Sequence, residues 1–240
     1  MGALPEHAAG TGLGTWWADH QVRPRAAAVS CGGYAVLAGT PRTTAPGDLA
    51  HLAHCYVVTP DSFLPVLGRA FTRIVPWERM IWAYEDPAPA VRQGSGLLVR
   101  PLVPADTSAV RALGPDLAWI TSSWGGPARL AASGHGWGAF RDQRLLSLAC
   151  TFFAGSRYED IAVATLPAER GRGLASACVR ALCADITARG CIPSWTCSRG
   201  NHPSRHLAAK SGFQLIHTYV HYALGAPVAG IRSPADVPRP

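Results

Sequence analysis

Residues 160–175 read DIAVATLPAERGRGLA. The apolar run 161–166 predicts a buried strand. Pro167 stops it, and Arg170-Gly171-Arg172-Gly173-Leu174-Ala175 follows. A helical pattern then spans 173–189. It repeats Leu174, Cys178, Leu182 and Ile186 on one face and stops at Gly190. Strand, glycine loop and helix N-terminus in that order make an anion site. The first backbone N–H groups of a helix have no intrahelical partner, and the helix dipole adds partial positive charge there. Gly171 and Gly173 let a ligand approach the backbone, and two arginines add formal charge. The expected guest is a phosphate or pyrophosphate.

Two common phosphate motifs do not match. The dinucleotide fingerprint needs a third glycine where this chain has Ser176. The G-x-x-x-x-G-K-[ST] loop is absent, and the one lysine in the chain is Lys210. No G-x-S-x-G elbow is present either, which argues against a serine hydrolase.

The stretch resembles the pyrophosphate loop of the GNAT (general N-acetyltransferase) superfamily, [RQ]-x-x-G-x-[GA], with Arg170 to Ala175 in register. Its surroundings extend the likeness. Trp195-Thr196-Cys197-Ser198-Arg199-Gly200-Asn201, then Ser204, then Lys210-Ser211-Gly212-Phe213 look like the family's next strand, its N-x-x-[AS] element and a helix ending in K-x-G-F. Upstream, Leu98-Val99-Arg100-Pro101 and the residues to Asp106 look like its first strand and helix start. The resemblance covers residues 96–224.

That resemblance implies a mixed α/β sheet and an acyl-CoA-dependent N-acyltransferase, most simply an N-acetyltransferase. Acetyl-CoA, or another acyl-CoA, would be the co-substrate. Its pantetheine arm would run between diverging strands at 161–166 and 192–197, beside the backbone of Val163 and Thr165. Its pyrophosphate would lie on Arg170, Gly171, Arg172, Gly173, Leu174 and Ala175. Asn201 and Ser204 match cofactor-contacting positions. The partner would be a small-molecule amine, attacking the thioester directly in a ternary complex.

Direct attack needs a neutral amine, so an acid on the strand before the glycine loop is wanted as general base. Asp160 and Glu159 are the candidates, with a strand-end carboxylate paired to Arg157 as the bland alternative for each. Many relatives carry a tyrosine four residues before the K-x-G-F glycine as proton donor, and this chain has Ala208 there. His206, Ser204, Cys197 or water would have to replace it, and Tyr219 and Tyr222 read as structural. A thiol with pKa about 8.5 is already a fair leaving group. Trp119 and Trp124 fall in a Gly/Ser-rich stretch where such folds place acceptor contacts. Losing the tyrosine keeps open a CoA-binding module without turnover. Because fold does not fix chemistry, an enzyme that acylates a hydroxyl or decarboxylates an acyl-CoA stays open too.

Composition bounds the class. The 240 residues suit one large domain or two small ones, and 48% apolar residues can fill a core. The net charge of +7 is almost wholly arginine, spread along the chain with no long basic run, so no nucleic-acid partner is required. No apolar run is long enough for a membrane span. MGALPEHAAGTG lacks the basic and apolar regions of a secretory signal, so a cytoplasmic monomer or homodimer is expected. Seven cysteines without a C-x-x-C pattern read as buried free thiols. His51, His54 and Cys55 could share a helical face. A metal site would need a fourth ligand and a supporting shell, so none is assigned.

Three segments are expected: an accessory, substrate-side domain over 1–94, a GNAT-like domain over 95–225 and a loose Pro-rich tail over 226–240. The first segment reads as a loose start with one short helix (1–28), strands at 33–37, 55–58 and 80–84, and a helix capped by Thr59 with Pro60 at its first position. That helix would bury Phe63, Leu67, Ala70, Phe71 and Ile74. In the second, strands are expected at 96–102, 137–141, 145–154, 158–166, 192–197 and 213–224. Helices are expected at 105–113, 173–189 and 202–211, giving a mixed sheet with helices on both faces.

Overall fold

A computed structural model describes residues 3–85 and 96–225. The expected boundary at 86–95 and the tail at 226–240 lie outside the described residues. In chain order the elements are α1 (Ala3–Thr11), β1 (Thr15–Ala18), β2 (Ala26–Cys31), β3 (Tyr34–Gly39), β4 (Tyr56–Val58), α2 (Leu64–Ala70) and β5 (Ile74–Tyr84). Then come β6 (Leu98–Pro101), α3 (Thr107–Arg111), α4 (Pro127–Ala132), β7 (Gly136–Arg141), β8 (Arg144–Ala154) and β9 (Tyr158–Thr165). The chain closes with α5 (Leu174–Ala188), β10 (Ile192–Ser198), α6 (His202–Lys210) and β11 (Phe213–Leu224).

The second half follows its periodicities. The apolar stripe of α5 is fully used: Leu174, Cys178, Leu182 and Ile186 are all buried, packed with Trp195, Cys197 and Phe213 of the sheet. Burying each such side chain contributes about 1.5–3 kcal/mol, which outweighs the modest helix propensity of its β-branched and cysteine residues. β7 and β8 form a hairpin turned by Asp142 and Gln143, both at positive φ, as a two-residue type I′ turn requires. α3 and α4 cover the other face of β8 through Val110, Leu130 and Leu148.

The first half departs further from expectation. β1 and β2 replace most of the loose start, because Ala26, Ala28 and Val29 are buried even though alanine is a poor strand former. The expected helix begins later and is shorter. Asp61–Phe63 is a 3-10 turn, and Pro65 sits in the first turn of α2. Phe71 turns the chain into extended backbone, and Ile74 opens β5 instead of closing the helix.

Among the described residues all eleven strands join one sheet in the order β1-β2-β3-β4-β11-β5-β10-β9-β8-β7-β6. β5, from the first half, therefore lies between two strands of the second. It pairs antiparallel with β11 from Ile74↔Leu224 to Tyr84↔Phe213 and with β10 from Arg79↔Ser198 to Ala83↔Ser194. Pro76 is tolerated because β10 does not reach it, so its missing N–H leaves no ladder bond unmade on that side. The accessory half thus shares the sheet with the rest of the chain.

Two irregularities shape the centre. β9 and β10 are parallel and paired only from Tyr158↔Ile192 to Ile161↔Trp195; beyond that rung Ala162–Thr165 and Thr196–Ser198 have no mutual pairing. In β8, Phe152 is an extra residue between Thr151↔Ile161 and Phe153↔Asp160. Such bulges bend a strand and re-aim the side chains opposite.

Candidate active site

The glycine loop lies where the sheet splits. Gly171 and Gly173 have φ of 76° and 77°, the left-handed region that glycine adopts without penalty. An added Cβ at either would meet nothing within 4 Å, so the space over the loop is open. Gly173 is the N-cap of α5 and supplies no side-chain cap, and the first-turn N–H groups of the helix are free to meet an anion. Arg170, Gly171, Gly173, Leu174 and Ala175 line the adjoining cavity. The Arg172 guanidinium instead turns to Glu169 at 3.2 Å, so any part for this residue rests on its backbone. An uncapped helix end with an open, Cβ-free approach fits a pyrophosphate.

Across the split, Asn201 caps α6 by accepting from the Ser204 N–H at 3.1 Å. Ser204 Oγ in turn accepts from the Trp195 indole at 3.0 Å. Both residues line the cavity, as do Val163 and Thr165. His206 is exposed on α6 and lines it too. Ala208 is fully buried against the core. A side chain at that register would meet the core, so the missing tyrosine opens no gap in the cavity wall.

The cavity, about 1630 Å³, continues through the split to the other face of the sheet. Strand alternation separates the two faces. On β5, Met80 and Trp82 pack toward α5, so Arg79 and Ile81 face away from it. On β9, Ile161 packs toward α5 and Glu159 reaches Arg189 at the end of that helix, so Asp160 faces away. Asp160 accepts from Thr196 Oγ1 at 3.1 Å. Burial pushes its carboxyl up to about 6, against the pull of Thr196 and the nearby Arg79. A carboxylate that titrates there is a competent base near neutral pH.

Glu159 does not share this position. It is 3% exposed and lies outside the cavity wall. It accepts from Thr151 at 2.5 Å and from Arg189 at 2.8 and 3.0 Å. Burial raises its pKa, but hydrogen bonds from His135, Arg189 and Thr151 outweigh that and bring it to about 2. Its donors hold it as a permanent anion that ties β8, β9 and α5 together. This corrects its candidacy as a base, and the partner is Arg189 in place of Arg157. Trp124 is corrected in the same way. It is 8% exposed, donates its indole N–H to Thr151 O at 2.7 Å and stacks on His135, away from the cavity. Trp119 is 48% exposed and lines the cavity.

Sequence reasoning missed the wall beside Asp160. Tyr34 of β3, Trp77 and Arg79 of β5, and Tyr219 and His221 of β11 converge there. The alternation Trp77, Arg79, Ile81 was the available signal, masked by Pro76 and by reading the strand as only 80–84. Tyr219, expected to be structural, is a wall residue, and burial raises its hydroxyl pKa. Burial also pushes His221 down to about 3, so its ring is neutral at working pH. Cys197 touches the cavity, but burial raises its thiol, as it does for the other buried cysteines. His51, His54 and Cys55 do not assemble. His51 Nδ1 pairs with Asp48 O at 2.9 Å, and among the described residues no three His, Cys, Asp or Glu side chains gather as a metal would require. Among the same residues no helix is long and apolar enough to cross a membrane.

Known proteins resemble this chain in sequence and in fold. The family model for GNAT acetyltransferases matches residues 106–222. An uncharacterized N-acetyltransferase of Streptomyces virginiae is 54% identical over 188 residues, 78% of this chain and 79% of the relative. A GCN5-related N-acetyltransferase-like protein of Streptococcus suis superposes with a TM-score of 0.67 at 19% identity, over 88% of each chain. A GNAT-family protein of Novosphingobium aromaticivorans superposes at 0.62 and 19% identity, over 94% of this chain and 97% of its own. The last two are similar in fold alone. With the loop, the split sheet and a relative this close, the chain belongs to the GNAT acetyltransferase family, N-acetyltransferases that draw their acyl group from acetyl-CoA.

Proposed function

We propose that this N-acetyltransferase acetylates a small-molecule amine, with acetyl-CoA held on the α5 side of the split and the amine on the far side. One observation carries the reading: a single cavity joins the open glycine loop to Asp160 through the gap between β9 and β10. Acetyl-CoA supplies an activated acetyl thioester, which the amine takes in a ternary complex. The loop N–H groups from Gly171 to Ala175, with Asn201 and Ser204 opposite, hold the cofactor, and Val163 and Thr165 border its arm.

Asp160 accepts the proton that the arriving ammonium must lose. Thr196 keeps the carboxylate oriented, and the buried setting holds its pKa close enough to neutrality to take a proton and release it. Direct transfer is favoured over an acyl-enzyme because the cavity's Cys197 is held as a thiol by burial. His206, exposed at the rim, or water there returns a proton to the departing thiolate. The half of the chain before residue 86 supplies much of the acceptor wall through β3 and β5, which suits an enclosed small-molecule pocket.

The test is mass spectrometry of an amine panel incubated with the enzyme and acetyl-, malonyl- or succinyl-CoA. The reading expects acetylated small amines. Acylation of hydroxyl compounds only, or loss of CO2 from malonyl-CoA without transfer, would overturn it.

A further inference from the structure

We infer that Arg79 is a specificity residue that binds a carboxylate on the acceptor, so that the acceptor is an amine carrying a carboxylate, of amino-acid type. This rests on the acceptor-side reading of the cavity given above.

Arg79 is 6% exposed, yet it lines the cavity. Among the described residues its guanidinium forms no salt bridge, and its Nε has no hydrogen-bond partner. It donates from Nη2 to Thr196 O at a long 3.4 Å and lies over the Trp77 ring at 4.3 Å. A buried cation left without an anion is costly, and such groups are normally paired. The groups that face it offer no negative charge in contact. Tyr34 and Tyr219 bring hydroxyls within hydrogen-bonding reach of the guanidinium but are neutral, with pKa values raised by burial, and His221 is neutral with its Nδ1 also unpartnered. Asp160 is near enough to feel the charge but forms no ion pair with it. Glu6 is taken up by the Ser156 N–H and Glu169 by Arg172, and both lie elsewhere on the wall.

Face and spacing decide what a cation without an anion is for. Met80 and Trp82, its neighbours, point toward α5, so Arg79 points away from the cofactor loop. Asp160 points the same way, and Thr196 touches both: its hydroxyl donates to Asp160 and its carbonyl accepts from Arg79. A proton acceptor and a planar five-donor cation thus sit side by side on the acceptor face. An amine beside Asp160 brings an attached carboxylate to Arg79, whose fork geometry favours such anions. The surrounding Tyr34, Trp77 and Phe152 give the acceptor's remaining body an aromatic wall.

The test offers the enzyme and acetyl-CoA three amino acids, L-phenylalanine, L-leucine and L-lysine, each beside its methyl ester and its decarboxylated amine. Free carboxylates should be preferred in kcat/KM by about 100-fold, the penalty typical of leaving a buried charged partner unpaired. Arg79→Gln should lower kcat/KM for the carboxylates about 100-fold more than for the matched esters, chiefly through KM, and Arg79→Lys should restore part of the difference. Equal or better turnover of the esters and amines by the native enzyme, or an intact preference in Arg79→Gln, would overturn the assignment. Calorimetry with N-acetyl-L-phenylalanine, N-acetyl-L-leucine and Nα-acetyl-L-lysine in the presence of CoA needs no turnover. Binding that Arg79→Gln abolishes supports the carboxylate site even if no amine is acetylated, an outcome that would contradict the transferase reading alone. Binding of none of these carboxylates overturns the site.

Discussion

Thr196 Oγ1 donates to Asp160 Oδ1 at 3.1 Å, and Thr196 is the first residue of β10 past its last rung with β9. The bond therefore spans the apex of the split, where the α5 side of the cavity meets its far side. It also fixes a carboxylate that the fold holds at a cost. Burial raises Asp160 from 3.8 to about 6. The folded state binds this proton more tightly than the unfolded state, so its stabilising effect is full below pH 3.8 and is lost as pH rises through 6.

Asp160→Asn should therefore stabilise the protein at pH 8 relative to pH 4.5, by about 2 kcal/mol for a shift of this size. Urea unfolding at the two pH values checks it. An Asn variant that loses more stability at pH 8 than at pH 4.5 would contradict the raised carboxyl.

Glu159 has the opposite sign. Its pKa falls from 4.5 to about 2, so its contribution is present above pH 4.5 and lost as pH falls through 2. Glu159→Gln should cost about 2 kcal/mol at pH 7, less than a fully buried pair because Arg189 is partly exposed. Per folded molecule, kcat/KM should stay within about threefold of the native value. Thermal unfolding with active-site titration checks both, and a large loss in kcat/KM without lost stability would return Glu159 to the chemistry.

A carboxylate over the loop should repel the pyrophosphate. Gly173→Asp should weaken CoA by roughly 100-fold, or about 3 kcal/mol. The left-handed backbone should cost only about 1–2 kcal/mol of stability, since the Cβ meets open space. Gly173→Asn separates charge from shape and should lose less. Unchanged calorimetric affinity in folded Gly173→Asp would remove CoA from this loop.

The two tryptophans should separate cleanly. Trp124→Ala removes a buried ring with a bonded indole and should cost about 3–5 kcal/mol. Trp119→Ala should cost under about 1 kcal/mol and raise KM for the acceptor. Denaturant titration and acceptor kinetics on both variants check this; a stability loss at Trp119 matching that at Trp124 would make it a core residue.

Periodicity made the α5–β10–α6–β11 half legible, because each element buries one face on its immediate neighbours. The loop residues 170–175 could be assigned for the same local reason: a helix end and two glycines define an anion site wherever they stand. The wall around Arg79, the proposed acceptor side, was not legible. Arg79 comes near Asp160, with Thr196 between them, only because β5 inserts between β10 and β11, a pairing of strands far apart in sequence that no local pattern encodes. The Phe152 bulge left no trace in a run of uniformly apolar residues. Asp160 and Glu159 are adjacent acids on one strand; only the alternation of faces, settled by Arg189 and Thr196, separates the cavity-facing acid, the proposed base, from the tie.

The pH dependence of kcat/KM for acetyl transfer, measured on the native enzyme and on Asp160→Asn, tests the central claim most directly. Around Asp160, Tyr34, Tyr219 and His221 stay neutral across the range. The native profile should therefore fall with unit slope below a break near pH 6. Asp160→Asn should lose about 10²–10⁴-fold in kcat/KM at pH 7 and show no such break. A break near pH 6 that persists in Asp160→Asn, or a rate that the substitution leaves unchanged, would contradict the account.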